Sequence, residues 1–205
     1  VLSHFKEPIT LDMRVKGTVD QLTCSHLEIT ADDRQFRLSG DVSLQELSNP
    51  QDAYVYGKLS ELSANSRGVS FLVRNLSSNY NGVPPLLERL GDIDFRGEIS
   101  GYFTDLVTYG QLRTGLGNVK TDLKLSSDKT KGLFAYSGAV KTEEFGLGKL
   151  LNNDKLGEIT FNLDVHGRHI ETQLPAVELK GLIASVEYSR YKYENITLDG
   201  INFGG

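Results

Sequence analysis

The sequence predicts an all-β protein, built as an elongated, curled and mainly antiparallel sheet with an apolar interior and two short helical pieces. The first observation is a period of two: in residues 9–17 every odd position is apolar or glycine and every even position is polar. Successive strand side chains point to opposite faces, so this alternation indicates one dry face and one wet face. The second is the 21 glycines among 205 residues, several in the apolar frame, where they let a sheet bend or twist.

The alternation recurs along the chain and places the elements in order. Two Leu-rich pieces interrupt it, at 84–90, which opens with two prolines, and at 145–151. Proline is favoured in the first turn of a helix, and pieces this short are not stable alone, so we expect both to cap or plug one end of the sheet. We predict strands at 9–17, 36–44, 69–73, 93–99, 159–165, 177–181 and 196–199.

The apolar frame of these strands is the candidate functional surface, because its members share one face of the predicted sheet. The alternative for such a face is the sealed core of a closed β-sandwich. If the sheet curls instead, we expect an apolar trough lined by Leu11, Met13, Val15, Leu27, Ile29, Phe36, Leu38, Val42, Phe71, Val73, Ile93, Phe95, Ile99, Leu123, Leu125, Ile159, Phe161, Leu163, Val165 and Leu179.

Loose internal repeats indicate an elongated architecture. Residues 90–101 match 156–167 position by position, each after a Leu-rich piece, and 9–17 is a third copy of their second half. A second pair, 27–42 and 123–140, is also similar. Repeats of this kind suit a structure in which each unit contacts only its neighbours. The sequence begins and ends in strand-like pattern, so we expect one continuous segment of a longer chain, 1–205, with repeats at about 9–83, 84–144 and 145–205.

Composition excludes several classes of function. The formal net charge is −5, with acidic and basic residues interspersed, so the clustered cations that bind nucleic acid are missing. The one cysteine, Cys24, cannot form an intrachain disulfide or a zinc site. No stretch of 18 apolar residues is present, so no segment is expected to span a bilayer.

The catalytic and cofactor motifs in the chain are weak. The close pair His166 and His169 is three residues apart, which places the two side chains on opposite faces of a strand. The segment Gly146-x-Gly148-Lys149 lacks the Ser or Thr and the spacing of a phosphate-binding loop. We therefore expect no enzyme activity and no cofactor.

An aromatic cluster near the end of the chain has two interpretations. Tyr188, Tyr191 and Tyr193 form either a contact for carbohydrate or a membrane interface, or cross-strand aromatic pairs of the sheet.

The ordered combination of motifs resembles the TamB family of translocation and assembly modules, related to AsmA-like proteins, in its Bacteroidetes-type form. The resemblance rests on strands of the type Leu-Gly-x-Ile-x-Phe and on the segment 145–151 leading into Leu156-Gly157. It extends from about Ile9 to Gly200. The family has no catalytic motif to carry over.

The resemblance implies a place and partners. Proteins of this family are anchored in the inner membrane, cross the periplasm as a taco-shaped β-sheet with an apolar inside, and pair with an Omp85-type outer-membrane protein of the TamA kind. They are linked to outer-membrane protein assembly and to phospholipid movement between the membranes. For this chain it implies a middle piece, located in the periplasm.

Three hypotheses for function follow. The first is a lipid conduit, in which the trough shields phospholipid acyl chains during transport between the two membranes and supports outer-membrane protein assembly. The second is a scaffold whose sheet edges template the strands of outer-membrane proteins without lipid transfer. The third is an extracellular binding module built as a closed β-sandwich.

Overall fold

The computed structural model describes residues 8–18, 20–31, 34–49, 52–76, 83, 85–128, 133–170 and 176–203. Eleven strands and three short helices make up these ranges. The strands are β1 (Ile9–Thr18), β2 (Gln21–Ala31), β3 (Phe36–Gln45), β4 (Tyr54–Ala64), β5 (Ile93–Tyr102), β6 (Asp105–Thr114), β7 (Gly117–Asp128), β8 (Leu133–Phe145), β9 (Leu156–Ile170), β10 (Ala176–Tyr188) and β11 (Tyr191–Phe203). The helices are α1 (Ser66–Leu76), α2 (Pro85–Arg89) and α3 (Leu147–Leu151).

All eleven strands belong to one antiparallel sheet in which each strand pairs with the strands before and after it in sequence. Strands make up most of the described residues, and the sheet that they form is open, with β1 and β11 at its two edges. The predicted fold class, an all-β curled sheet, is confirmed. The closed β-sandwich is wrong for the described part of the chain, because a sandwich needs two facing sheets and these strands form one.

The helices agree with the predicted pieces at two places and differ at a third. Helix α2 lies within 84–90 and α3 within 145–151, as predicted. The strand predicted at 69–73 is wrong, because these residues lie in α1. Asn65 begins this helix: its side-chain oxygen accepts the backbone N–H groups of Arg67 at 3.0 Å and Gly68 at 3.1 Å. An asparagine in this position satisfies donors that the first turn cannot pair internally.

Helix α1 covers one corner of the sheet and forms the most buried cluster in the described residues. Phe71 is 2% exposed and stacks on Phe36 of β3, with ring centroids 6.0 Å apart. Ala31, Ala64 and Val69 complete the buried cluster. The small residues Ala31 and Ala64 leave room for the helix to approach the strands closely.

All three helices lie at the same end of the sheet, called the helix end below. In an antiparallel sheet, β4 ends where β5 begins and β8 ends where β9 begins, and the helices stand in these connections. Helix α1 packs on β3 and β4, α3 packs on β9, and α2 contacts both other helices. The expected placement of helical pieces at one end of the sheet agrees with these contacts.

Bulges keep the apolar side chains on one face where the period of two breaks. Cys24 and Leu27 of β2 are three residues apart, yet they lie opposite Val42 and Gly40, which are two apart on β3. The extra residue is absorbed at His26, whose backbone is left-handed (φ 52°) and whose N–H group is bonded to Asp41 Oδ1 at 3.1 Å. A one-residue shift without such a bulge would turn every later side chain to the other face.

The same device recurs in β8. Thr142 and Phe145 are three residues apart and face Phe161 and Ile159, which are two apart. Here the left-handed residue is Glu144 (φ 49°), and its N–H group is bonded to Thr160 Oγ1 at 3.0 Å. In both bulges a side chain of the next strand accepts the N–H group of the left-handed residue, so that donor is not left without a partner.

Candidate functional site

Residues that are opposite each other in the register form five rows across the sheet, which share one face, the inner face. Met13, Thr114 and Phe145 are placed in their rows by the alternation along their own strands. Rows 1 to 3 run from β1 to β11, and rows 4 and 5 run from β1 to β10. Rows 1 and 2 lie nearest the helix end. Row 1 comprises Ile9, Ala31, Phe36, Ala64, Ile93, Thr114, Gly117, Phe145, Ile159, Val186 and Tyr193. Row 2 comprises Leu11, Ile29, Leu38, Leu62, Phe95, Leu112, Val119, Thr142, Phe161, Ile183 and Ile196.

The other three rows continue toward the opposite end of the sheet. Row 3 comprises Met13, Leu27, Gly40, Leu59, Gly97, Gly110, Thr121, Val140, Leu163, Gly181 and Leu198. Row 4 comprises Val15, Cys24, Val42, Gly57, Ile99, Thr108, Leu123, Gly138, Val165 and Leu179. Row 5 comprises Gly17, Leu22, Leu44, Val55, Gly101, Leu106, Leu125, Tyr136, Gly167 and Val177.

The five rows form an apolar surface without a charged side chain. Their polar members are Cys24, the two tyrosines and a few threonines, and the one buried threonine, Thr142, donates its hydroxyl to the carbonyl of Asn118 at 2.6 Å. In β6, β7, β9, β10 and β11 most inner-face residues are half-buried or buried while most of their neighbours on the other face are exposed. The inner face is therefore the sheltered side of the sheet, but only a few of its side chains are fully covered.

Burial on the inner face is concentrated at the helix end. Ala31, Phe36, Ala64, Phe145 and Ile159 of row 1 are all buried. In rows 3 to 5 the buried side chains are few and scattered, and the rest keep partial contact with solvent. The structure thus has a covered end and a long open surface, which differs from a sealed core.

Glycines make room for aromatic rings on the inner face. A side chain at Gly110 would come within 2.6 Å of Phe95 Cζ, and one at Gly97 within 2.9 Å of the same atom. The ring of Tyr136 occupies the equivalent space over Gly167. Rings lying over strand glycines restore packing that glycine alone cannot provide. The glycines in the apolar frame therefore pair with specific aromatic residues.

Of the predicted lining residues, all except two lie in the strands with their positions on the inner face. The exceptions are Phe71 and Val73, which belong to α1. Phe71 is part of the buried cluster under that helix and cannot line an open trough. The side chain of Val73 lies outside the described residues.

Sequence reasoning missed much of the inner face in β4, β6, β10 and β11. The missed residues include Leu59, Leu62, Leu112, Ile183 and Leu198. In β4, β10 and β11 a bulge shifts the apolar residues from a spacing of two to a spacing of three. In β6, Thr108 and Gly110 interrupt the apolar frame. Only the register with neighbouring strands identifies these positions.

The opposite, outer face carries the charges of the strands. Arg37 of β3 bridges Glu28 of β2 at 2.8 Å and Glu61 of β4 at 3.8 Å. The hydrogen bond to Glu28, together with the charges of Glu28 and Glu61, raises the pKa of Arg37 above its ordinary value. Exposed ion pairs of this kind add little to the free energy of unfolding, but their charges keep the outer face hydrated.

One depression holds residues that a metal or catalytic interpretation would single out. His166, Arg168 and Glu178 line it together with Tyr136 and Gly167 of row 5, and its volume is about 400 Å³. Among the described residues, no group of three or more His, Cys, Asp or Glu is arranged to hold a metal ion. The side chain of His169 lies outside the described residues.

The glycine-rich segment before β9 serves packing. Gly148 is buried in α3, and a side chain there would strike the carbonyl of Leu156 at the start of β9. Lys149 is exposed. A helix of five residues brings too few free N–H groups and too small a dipole to hold a phosphate.

The tyrosine cluster lies where β10 and β11 meet at the helix end. Tyr188 and Tyr191 are directly opposite each other, as are Val186 and Tyr193. Tyr191 is 71% exposed, so its ring remains available to a ligand. The register agrees with cross-strand pairing of the first two rings.

Comparison with known proteins identifies no relative of this chain. No protein-family model, curated protein or solved structure matched it. Function is therefore argued below from the inner face itself. Within the described ranges, no helix has the length and the apolar composition needed to cross a bilayer.

Proposed function

We propose that the inner face binds the acyl chains of phospholipids and shields them from water while they move along the sheet. The observation that carries the proposal is the set of five uncharged rows, three of which cross all eleven strands and two of which cross β1 to β10, and most of whose members remain partly exposed. Contiguous exposed apolar surfaces of this extent are rare on soluble proteins and indicate a binding surface.

The dimensions fit an acyl chain. Eleven strands span ten inter-strand spacings of about 4.8 Å, which makes the surface about 48 Å long. The hydrocarbon core of a bilayer is about 30 Å thick, so the acyl chains of one leaflet extend about 15 Å. The surface therefore accommodates roughly three chain lengths end to end.

The energetics favour transfer over storage. Removing a sixteen-carbon chain from water is worth about 13 kcal/mol at about 0.8 kcal/mol per methylene. The inner face offers the chain aliphatic and aromatic contacts, such as Phe95 and Phe161, with no charged group to fix one position. A surface that binds every position alike allows a lipid to slide with little change in free energy.

The resemblance to TamB-type proteins gives this proposal its setting. On that basis the chain is a periplasmic segment of an inner-membrane-anchored envelope protein, and an Omp85-type partner contacts other parts of the full-length chain. It acts without catalysis and supports outer-membrane protein assembly by supplying lipid. Templating of outer-membrane protein strands stays a separate prediction, because it depends on the sheet edges and not on the inner face.

Lipid carried by the purified protein tests the proposal. We expect native mass spectrometry of the chain expressed in bacteria to detect bound phospholipid, confirmed by extraction. Phe161→Asp and Phe95→Asp place a charge in row 2, and each should reduce bound lipid at least tenfold, because a buried carboxylate opposes an apolar ligand.

The matched control is Asn162→Asp, which adds the same charge one residue away on the outer face, where Asn162 is exposed. It should leave bound lipid unchanged. Far-UV circular dichroism checks that all variants keep the sheet. A lipid-free wild-type protein, or equal loss in Asn162→Asp and Phe161→Asp, would overturn the conduit.

A further inference from the structure

Two depressions on the outer face join into one groove across the interior strands β4 to β8. The first has a volume of about 440 Å³, and the second, of about 230 Å³, shares Gln111 and Lys120 with it. The outer-face residues that line them, called the outer groove below, are Lys58, Arg96, Glu98, Tyr109, Gln111, Asn118, Lys120, Lys141 and Glu143. The other lining residues are Leu59, Gly97, Gly110 and Thr142, from rows 2 and 3. The ring of Phe95 lies over Gly97 and Gly110 on the inner face, so the first depression opens on the outer face.

Four donor side chains of the outer groove lie in one line across four strands. Arg96 of β5 is opposite Gln111 of β6, and Gln111 is opposite Lys120 of β7. Lys120 is in turn opposite Lys141 of β8. Neighbouring strands are about 4.8 Å apart, so three spacings give the line a length of about 14 Å. The four residues are far apart in the sequence, and only the register of the sheet brings them together.

The two lysines of this line repel each other in the protein alone. Lys120 and Lys141 are directly opposite, and like charges in this position destabilise a sheet. Glu143 contacts Lys141 at 3.4 Å and offsets one of the two charges. In the described part of the chain, no carboxylate lies within ion-pair distance of Lys120. A negative group between the two ammonium groups removes their repulsion, so this pair favours an anionic ligand.

The charge of the outer groove is opposite in sign to that of the whole chain, which is −5. Its cations are Lys58, Arg96, Lys120 and Lys141, and its carboxylates are Glu98 and Glu143, so four positive and two negative charges give +2. Asp94 accepts hydrogen bonds from Nε and Nη2 of Arg96 at 3.2 and 3.3 Å, which holds the guanidinium plane in place. With Asp94 included, the balance is still +1.

An exposed aromatic ring stands beside the line of donors. Tyr109 is 67% exposed and lines the first depression with Glu98 and Gln111. The face of a tyrosine ring is apolar and suits the C–H face of a sugar ring, while its hydroxyl group remains in water. Amide and carboxylate side chains provide donors and acceptors for sugar hydroxyl groups. The residues around Tyr109 are therefore those expected of a saccharide site.

A nucleic-acid strand fits the outer groove less well. Its phosphates are repelled by Glu98 and Glu143, and stacking of successive bases requires a series of aromatic rings. Among the described residues, Tyr109 is the one aromatic side chain that lines the two depressions. A small inorganic anion contacts the two lysines but leaves the ring and most of the line of donors unused.

We propose that the outer groove binds an acidic oligosaccharide, a chain of sugar rings that carry carboxylate groups. A sugar ring packs on Tyr109, its hydroxyl groups bond to Glu98 and Gln111, and carboxylates of the chain contact Lys120 and Lys141. The groove and the five rows lie on opposite faces of the sheet. The site therefore does not depend on the proposed function, and either one can fail without the other.

Titration calorimetry with tetragalacturonate tests the class of ligand. We expect its Kd to be at least tenfold lower than that of the uncharged cellotetraose, because only the first carries carboxylates. Raising the ionic strength from about 0.01 M to about 1 M shortens the screening length from about 30 Å to about 3 Å and should remove most of this difference. Equal affinity for the two saccharides, or tighter binding of a single-stranded oligonucleotide of the same charge, would overturn the proposal.

Substitution of Lys120 tests the line of donors. Lys120→Gln should raise the Kd for tetragalacturonate at least fivefold. It also relieves the repulsion of Lys141, so the variant should be at least as stable as the unchanged protein, and weaker binding would not reflect unfolding. The matched control Lys124→Gln makes the same change on the same strand, outside both depressions, and should leave the Kd unchanged. Equal effects of the two substitutions would contradict the site.

Substitution of Tyr109 separates a saccharide site from a simple anion site. Tyr109→Ala should weaken binding of tetragalacturonate at least fivefold and leave binding of inorganic tripolyphosphate unchanged, since only the saccharide uses the ring. Phe161→Asp, which should lose bound lipid, should bind tetragalacturonate as the unchanged protein does. If Tyr109→Ala has no effect on tetragalacturonate, the groove is an anion site only and the proposal is wrong.

Discussion

Two glycines in row 4 of the inner face have different reasons to be glycine. Gly138 of β8 has a φ of 138°, and a side chain there would strike the carbonyl oxygen of Asp122 on β7. Gly57 of β4 has no such φ, and the nearest atom to a side chain there would be Val42 Cγ2 at 3.6 Å, an ordinary contact. The backbone requires glycine at the first position and tolerates a side chain at the second.

Alanine substitution separates these two cases. Gly138→Ala should lower the free energy of unfolding by about 1–3 kcal/mol, because alanine is strained at this φ and its methyl group collides with backbone. Gly57→Ala should leave stability unchanged or raise it by up to about 1 kcal/mol, since it reduces the entropy of the unfolded chain. Chemical denaturation measures both, and equal effects would contradict this account.

The sequence could predict which residues share the inner face only where the period of two holds. In β1 and β5 it holds from end to end and in β9 from Ile159 to Gly167, and every predicted lining residue there lies on that face. It fails at bulges, because a spacing of three between apolar residues looks the same as a change of face. Asn195 and Gly200 are the kind of residue that favours a left-handed backbone, and His26 favours it weakly, but Glu144 gives no such signal.

At the scale of the element, α1 shows how a short apolar pattern can mislead. Val69, Phe71 and Val73 alternate as in a strand, yet five residues are too few to separate this pattern from a helix. The deciding residue lies outside the pattern: Asn65 begins the helix by accepting two backbone N–H groups. The buried Phe71 then fixes the helix on β3 and β4.

The role of Asn65 predicts a specific loss of stability. Asn65→Ala removes the acceptor and should lower the free energy of unfolding by about 1 kcal/mol. Asn65→Asp keeps an acceptor and adds a negative charge that the helix start favours, so its effect should stay within a few tenths of a kcal/mol. Hydrogen exchange of α1 should accelerate in the alanine variant only. Similar losses in both variants would mean that Asn65 acts through contacts other than its cap.

At the scale of the whole molecule, one set of sequence repeats occupies equivalent positions in the sheet and another does not, and the sequence alone could not separate them. Strands β1, β5 and β9 are four strands apart, and their matching residues, Leu11, Phe95 and Phe161 among them, fall in the same row. The helices stand between β4 and β5 and between β8 and β9. The second similar pair, in β2 and β7, has no such equivalence, because those strands run in opposite directions. Sequence similarity cannot distinguish the two cases. Whether two strands run in the same direction depends on how many strands lie between them, and every one of these must be identified.

An open sheet in which each strand contacts only its neighbours should unfold gradually from its edges. We expect the amides of β1 and β11 to exchange with solvent at least tenfold faster than those of β8 and β9. Hydrogen exchange with mass spectrometry measures this gradient. One common exchange rate for all strands would show a single cooperative unit.

At the bulges of β2 and β8, the number of residues in a strand can change without changing which face the later side chains lie on. In a regular strand, gain or loss of one residue sends every later side chain to the wrong face. At Cys24–Leu27 or Thr142–Phe145, a local adjustment of the backbone absorbs the extra residue and the rows beyond continue in phase. Sequences that differ by single-residue insertions at these points can therefore encode the same surface. Within the strands of this sheet, the bulges are positions where the chain can gain or lose one residue without a change of face.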